Sequence, residues 1–224
     1  MRSDAKILIG VDDSGTGALA GNLILCAVAF LQSDPPVAVS WRTRRGDRMA
    51  VARDSKVIHN AEERQMLNQA IRSCAQAVTV IEFTPEEIDA KLITNLLPQA
   101  IRLVIARCME QLAYLGKFTN PREFHVLLDG ETEFHSDLPF SVEAIPDGDK
   151  TVWQIGAASI VAKVACDARM DAIHEKYPSW GFDRHRGYAT KEHRELLSTR
   201  GPLSVHRKSF RPVYLALGGR KEEF

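Results

Sequence analysis

Ile7-Leu8-Ile9-Gly10-Val11-Asp12-Asp13-Ser14-Gly15-Thr16-Gly17 decides how the rest of the chain is read. Ile7 to Val11 is a compact β-prone run that ends in two adjacent carboxylates and a tight glycine-containing turn. Leu23 to Phe30 is a second such run, so the pair reads as a hairpin with Asp12 and Asp13 where its first strand runs out. Strand ends are favoured places for site residues. The plain alternative is that the two aspartates cap the turn by accepting bonds from nearby amides. The pair alone does not separate these readings.

Working outward, Val37 to Trp41 and Arg48 to Ala52 flank Arg44-Arg45-Gly46-Asp47 and read as a small outlying hairpin. Asn60 to Cys74 has helical spacing, and Ala77 to Phe83 alternates β-branched residues as a third core strand. Thr84-Pro85-Glu86-Glu87 is a helix-start signature. Leu96 to Tyr114 places Leu96, Ala100, Leu103, Val104 and Met109 near one face of a long amphipathic helix. Phe124 to Leu128 is a short buried strand ending at Asp129, Val142 to Ile145 a fifth strand, and Trp153 to Tyr177 a helix packed on a sheet. Strands in antiparallel style followed by strands alternating with helices predict an α/β protein, a mixed sheet flanked by helices.

A chain of 224 residues, 45% hydrophobic and 26% charged, is expected to form one domain with peripheral additions. Its 29 basic and 29 acidic residues cancel, so net charge alone predicts no polyanionic partner. The last third is locally basic, through Arg184, Arg186, Lys191, Arg194, Arg200, Arg207, Lys208 and Arg211. Cys26, Cys74, Cys108 and Cys166 are scattered singly and read as reduced core residues. Leu19 to Leu31 is too short to span a bilayer and follows no basic leader. A soluble cytoplasmic protein is the expectation.

Two further acids matter. Asp129 ends an apolar strand, although Asp129-Gly130 is also a common hairpin-turn signal. Asp167 lies at the edge of the helical stripe formed by Trp153, Ala157, Ile160, Val161 and Val164, and an acid beside such a stripe needs a partner. Asp171 has a similar azimuth one turn later, so spacing does not choose between them. Strand-end and helix carboxylates converging at one end of a sheet repel unless cations neutralise them. All-oxygen ligation suits Mg²⁺ or Mn²⁺, two such ions suit phosphodiester hydrolysis, and no Cys/His zinc spacing competes.

Over nearly its whole length the sequence resembles the ribonuclease HII family. The resemblance is carried by Gly10 to Gly21, Asp54-Ser55-Lys56, Pro85 to Asp89 and Leu128-Asp129-Gly130. It continues through Ala157 to Val164 with Asp167, Gly181-Phe182, His185-Arg186-Gly187-Tyr188, Thr190 to His193, and His206 to Pro212. It implies the ribonuclease H fold: a five-stranded mixed sheet flanked by helices, with a core over about 1–178 and a helical, substrate-binding C-terminal extension over about 179–224. It also implies that Asp12, Asp13, Asp129 and Asp167 are the catalytic, metal-binding carboxylates, which selects Asp167 over Asp171. The implied reaction cuts the RNA strand of RNA/DNA hybrids, or DNA at embedded ribonucleotides, to leave 5′-phosphate and 3′-hydroxyl ends.

The same resemblance makes Gly15 and Gly17 loop glycines whose backbone approaches the ribose, and Tyr188 the tyrosine that reads the ribonucleotide, with the 2′-hydroxyl separating RNA from DNA. Turn geometry and simple packing are the alternatives for these residues. Thr16 belongs to the same loop. Lys56, Lys163, His185, Arg186 and the His206 to Arg211 segment are expected phosphate neighbours, or else solvated surface. No membrane and no obligate protein partner is expected, and a monomer is.

Two functional positions depart from the family pattern Asp-Glu-x-Gly-Arg/Lys-Gly. Asp13 withdraws a carboxylate by one methylene, about 1.5 Å, against a Mg²⁺–oxygen bond of roughly 2.0–2.1 Å. Thr16 removes a positive charge aimed at substrate phosphate, which predicts weaker and less salt-dependent binding. Asn22 for proline and Ala189 for glycine are minor. The competing expectations are a catalytically weak or inactive hybrid-binding protein of the same fold, and another ribonuclease-H-fold enzyme such as a junction nuclease.

Overall fold

The computed structural model describes residues 6–43, 46–52, 58, 60–116, 118, 120–131 and 138–220. The first half of the chain supplies β1 (Ile7–Ser14), β2 (Leu23–Leu31), β3 (Ala38–Thr43), β4 (Gly46–Val51), α1 (Ala61–Cys74), β5 (Ala77–Phe83), α2 (Pro85–Lys91) and α3 (Ile93–Tyr114). The second half supplies β6 (Phe124–Asp129), β7 (Ser141–Ile145), α4 (Gly148–Thr151), α5 (Trp153–Lys176), α6 (Phe182–His185), α7 (Lys191–Arg200) and α8 (Arg211–Ala216). Five strands form one sheet in the order β5-β2-β1-β6-β7, while β3 and β4 pair antiparallel as a separate ribbon. β1 and β6 are parallel, as are β6 and β7. The fold is the expected five-stranded mixed sheet with flanking helices and a helical C-terminal part.

Local chemistry explains the element boundaries. Asn60 caps α1 by accepting from the Glu62 amide at 2.8 Å. Thr84 and Glu87 form a reciprocal capping box at α2, with Pro85 in its first turn. The continuous apolar run of β2 is buried nearly throughout, as a strand covered on both faces requires.

Four expectations need correction. β1 does not stop before the aspartates but runs through both to Ser14. β5 is an edge strand with mostly half-buried residues, not a core strand, since only β2 flanks it. Asp129-Gly130 makes no hairpin turn, because β6 and β7 are parallel and so need a crossover. Cys74, the last residue of α1, is exposed, whereas Cys26, Cys108 and Cys166 are buried; all four are free thiols.

The chain divides into two compact units. One comprises Met1–Asp13, Leu25–Ile81 and Ala100–Val164, and the other Ser14–Ile24, Glu82–Gln99 and Ala165–Phe224. The first contains most of the sheet, with Leu8, Leu127 and Ile155 packed together beside Ile145 and Val152. The second has its own core of Leu19, Ala20, Met170, Trp180, Phe182, Leu197 and Val213. Among the described residues, no single helix is long and apolar enough to cross a membrane.

Candidate active site

In the first unit, Val11 on β1 lies opposite Leu128 on β6. The next residue of each parallel strand, Asp12 and Asp129, therefore emerges side by side at the carboxyl end of the sheet, where open α/β sheets place their ligands. Asp129 is level with Ile145 of β7, and the chain then turns into α4 to deliver the buried Asp149. Carboxylate oxygens of Asp12, Asp129 and Asp149 all lie within 4.8 Å of one another. The Asp149 amide donates to Asp129 Oδ1 at 3.3 Å, which fixes the short α4 turn against the end of β6.

Asp12 is 9% exposed, and its Oδ1 accepts from the Asp13 amide at 2.8 Å. Gly10, two residues earlier, has no room for a side chain, because a Cβ there would collide with the Gln154 carbonyl. β1 thus presses directly on the first turn of α5, which brings the Ser159 side chain into hydrogen-bonding range of Asp12. Burial pushes the Asp12 carboxyl from an ordinary 3.8 up to about 8, and the negative charge of Asp13 adds to it. The Ser159 bond opposes the rise and Asp129 reinforces it. Beside Asp129 and Asp149, the buried Asp12 carboxyl resists ionising at neutral pH by itself. Their all-oxygen donor set, close spacing and mutual repulsion fit a hard divalent cation.

Asp149 is the residue that sequence reasoning missed. Its signal was present, since Asp147-Gly148-Asp149 follows β7 much as Asp12 and Asp129 end their strands, but Pro146-Asp147-Gly148 reads as an ordinary turn. Asp13 is placed differently from expectation. Consecutive strand residues alternate faces, and Asp13 is not among the carboxylates within 4.8 Å of one another, although its charge reaches Asp12. Lys163, one helical turn beyond Ser159, is half-buried. Lys56 lies outside the described residues.

In the second unit, Asp167 and Asp171 sit one turn apart on α5, and their side chains are 15% and 58% exposed. Arg186 joins the two. Its Nη1 pairs with the Asp171 carboxylate and donates to the Asp167 carbonyl at 3.3 Å, and its Nε stands 3.9 Å from Asp167 Oδ1. His185 is buried, with Nε2 at 2.7 Å from the Trp180 carbonyl and Nδ1 accepting from the Gly187 amide at 3.2 Å, so neither ring nitrogen is left for a phosphate. Tyr188 is 41% exposed.

The loop glycines separate cleanly. Gly15 has φ +92° and its Cβ would meet the Asn22 carbonyl at 3.0 Å, so the turn itself requires glycine. Gly17 has no positive φ and open space around its Cβ position. Nothing among the described residues demands glycine there. Thr16, half-buried between them, presents its carbonyl to Arg207.

Arg207, expected beside phosphate, is instead fully buried. Its Nη1 donates to the carbonyls of Gly15 at 2.7 Å and Thr16 at 3.1 Å, and its Nε to Gly21 at 3.0 Å. The guanidinium therefore holds the glycine loop from inside. Asp89 holds the following turn, accepting from the amides of Lys208 and Ser209 at 2.8 Å each.

A mixed five-stranded sheet flanked by helices, with clustered carboxylates at the carboxyl ends of β1 and β6, is the architecture of the ribonuclease H fold. Solved structures agree on the fold. Ribonuclease H2 from Pyrococcus horikoshii OT3 matches with a TM-score of 0.63 at 16% identity, covering 94% of this chain and 96% of that one. Bst-RNase HIII in complex with Mn²⁺ matches with a TM-score of 0.64 at 13% identity, over 96% and 71%. The family model of Ribonuclease HII matches residues 9–213. Ribonuclease HII of Xanthomonas axonopodis pv. citri is 37% identical over 97% of this chain and 79% of that protein, and Ribonuclease HII of Shewanella halifaxensis 38% over 93% and 89%. The chain belongs to the ribonuclease HII family. It is an endoribonuclease, and the family supports RNA/DNA hybrids as its substrates and divalent metals as its cofactors.

Proposed function

We propose that the Asp12–Asp129–Asp149 cluster is the reaction centre at which this protein cuts the RNA strand of hybrids and DNA carrying single ribonucleotides. The observation that carries this reading is the convergence of Asp12, Asp129 and Asp149, with burial and the charge of Asp13 pushing the Asp12 carboxyl up to about 8. Asp12, Asp129 and Asp149 hold Mg²⁺ or Mn²⁺, with Asp13 as an outer contributor; Asp167 is included on the family motif alone. A bound divalent ion supplies Lewis-acid polarisation of the phosphate and a water acidic enough to act as nucleophile. Ser159 orients the Asp12 carboxyl, and the Asp149 amide orients Asp129. The products carry 5′-phosphate and 3′-hydroxyl ends.

Substrate selection belongs to the second unit. Gly17 lets the loop backbone approach the sugar, Gly15 and Thr16 shape that loop, and Tyr188 offers an exposed ring and hydroxyl to the ribose. Arg186 serves a nearby phosphate, as does Lys163 of the first unit. The protein works as a cytoplasmic monomer without an obligate partner. One structural neighbour was solved as the PCNA:RNase HII complex from Archaeoglobus fulgidus, and an accessory clamp contact is compatible with this reading. A second reading, a weakened enzyme that mainly binds hybrids, is favoured by one observation: Asp13 stands outside the close carboxylate set.

Cleavage of a hybrid and of a duplex with one ribonucleotide, each with Mg²⁺ and with Mn²⁺, tests the proposal. Metal-dependent cutting on the 5′ side of a ribonucleotide's phosphate supports it. Binding without cutting in either metal transfers support to the weakened-enzyme reading.

A further inference from the structure

Two histidines of the second unit, His193 and His206, form a directional chain that the reaction chemistry does not use. The Leu203 amide donates to His206 Nδ1 at 2.9 Å. An amide can only donate, and this bond is shorter than the 3.3 Å separation of Nδ1 from the Leu203 carbonyl, so Nδ1 is assigned as the acceptor and the proton of this neutral ring to Nε2. His206 Nε2 is 2.9 Å from His193 Nε2. His193 Nδ1 in turn lies 2.9 Å from the Tyr188 carbonyl, which can only accept. The His193 proton is therefore on Nδ1, its Nε2 is bare, and that nitrogen receives the His206 proton. A proton on His206 Nδ1 instead, toward the Leu203 carbonyl at 3.3 Å, would leave two bare Nε2 atoms facing each other at 2.9 Å, so the assigned tautomers are the pair that gives the His206–His193 contact a proton.

The chain runs one way, from the Leu203 amide through His206 and His193 to the Tyr188 carbonyl. Burial holds both rings neutral, lowering each to about 4, and Trp180 and Phe182 pack around them. His185 stacks on His193 with ring centroids 4.2 Å apart, and its own carbonyl accepts from the Tyr188 amide at 2.8 Å. Tyr188 thus has its amide bonded to the His185 carbonyl and its own carbonyl shared by His193 and the Thr190 amide, which donates to it at 2.8 Å, while the residue stays 41% exposed.

The other end of the chain is anchored beside the glycine loop. His206 pairs with Ala20 as an isolated antiparallel bridge, the Arg207 amide donates to Leu19 at 2.8 Å, and the Leu19 amide donates to Gly187 at 2.8 Å. The glycine loop and the Tyr188 turn are bonded into one frame, with the histidine pair as its inner strut.

We propose that His193 and His206 are positioning residues for ribose recognition, which set where the Tyr188 phenol stands through a one-way hydrogen-bond chain ending on its carbonyl. This rests on the reading of Tyr188 as a ribose contact. Both histidines are buried, at 0% and 1% exposure, beneath the surface a substrate would meet. Two neutral imidazoles in fixed tautomers constrain a backbone carbonyl more tightly than an apolar pair of equal volume, because both ends of the chain are direction-specific.

The test is a double-mutant cycle read as kcat/KM on a duplex with one ribonucleotide. His193→Phe keeps the stacking ring and removes both bonds, and it is expected to lower kcat/KM by about tenfold, as loss of a supporting partner does. Combined with Tyr188→Ala, it should cost nothing further, since a residue that acts only through Tyr188 has nothing left to act on. His206→Met should reproduce the loss and His206→Gln, which restores a donor near the Nε2 position, should recover most of it; this pair keeps the test alive if His193→Phe fails to fold. Losses that multiply in the Tyr188→Ala background, or equal activity of His206→Met and His206→Gln, overturn the positioning role. If Tyr188→Ala itself cuts at the native rate, the ribose reading of Tyr188 fails and takes this proposal with it.

Discussion

Asp12 and Asp129 leave adjacent parallel strands side by side, one residue beyond the Val11–Leu128 pair. No flexible loop intervenes between this register and the site, so sheet pairing itself sets the separation of the two carboxylates. Asp149 then closes the group from α4.

Proton and metal binding must be linked at this cluster. With the Asp12 carboxyl raised to about 8 in the folded chain, the folded state holds a proton that the unfolded chain releases near 3.8. Its contribution to stability is therefore full below about 3.8 and lost as pH rises through about 8. A divalent ion displaces that proton and offsets the loss. Thermal melting between pH 6 and 9 should show the metal-free protein losing Tm with rising pH, and the gain from Mg²⁺ or Mn²⁺ widening. A gain independent of pH would count against Asp12 as the coupled group.

Asp149→Asn should lower metal-dependent cleavage by at least the ~10–100-fold that a supporting partner costs, and by more if Asp149 binds metal directly. Hybrid affinity without metal should change little. A variant that cuts at the native rate at limiting metal would remove Asp149 from the centre.

Gly17→Ala and Gly15→Ala should part company. The first meets no atom of the described residues and needs no unusual φ, so its stability should stay within about 0.5 kcal/mol of the parent while ribonucleotide cleavage falls at least several-fold. The second forces a Cβ into a positive-φ turn and should cost roughly 1–2 kcal/mol of stability. Chemical denaturation alongside cleavage rates separates the two. Native activity in Gly17→Ala would mean that the loop does not approach the sugar.

Much of this was legible in the sequence because the signals were local. Apolar runs at Ile7 to Val11 and Phe124 to Leu128, the helical spacing from Asn60 to Cys74, and the Thr84–Glu87 box each predict their own element from side-chain chemistry. Asp149 and Arg207 were not legible for the opposite reason. Asp149 depends on the chain reversing after β7, and Arg207 on carbonyls at Gly15, Thr16 and Gly21 almost two hundred residues earlier in the chain. Charge in the sequence says cation; only the fold says that the cation is spent on backbone.

Asp13→Glu reads out the reach of a side chain. If the shorter aspartate leaves a metal under-coordinated, the native protein should prefer Mn²⁺ to Mg²⁺, which demands near-ideal octahedral geometry, and the glutamate should raise the Mg²⁺-supported rate. A fall in rate with both metals would show that the strand end has adapted to aspartate, through crowding by the added methylene.

The central claim is that Asp12 and Asp129 jointly hold the metal that cuts the RNA strand. Cleavage of a duplex carrying one ribonucleotide, measured for the native chain and for Asp129→Asn across a Mg²⁺ and a Mn²⁺ titration, tests it most directly. The account predicts metal-dependent cutting by the native chain and a loss exceeding 100-fold in Asp129→Asn with hybrid affinity nearly retained, beyond what an outer-shell partner accounts for. Turnover by Asp129→Asn at the native rate, at any metal concentration, would contradict it.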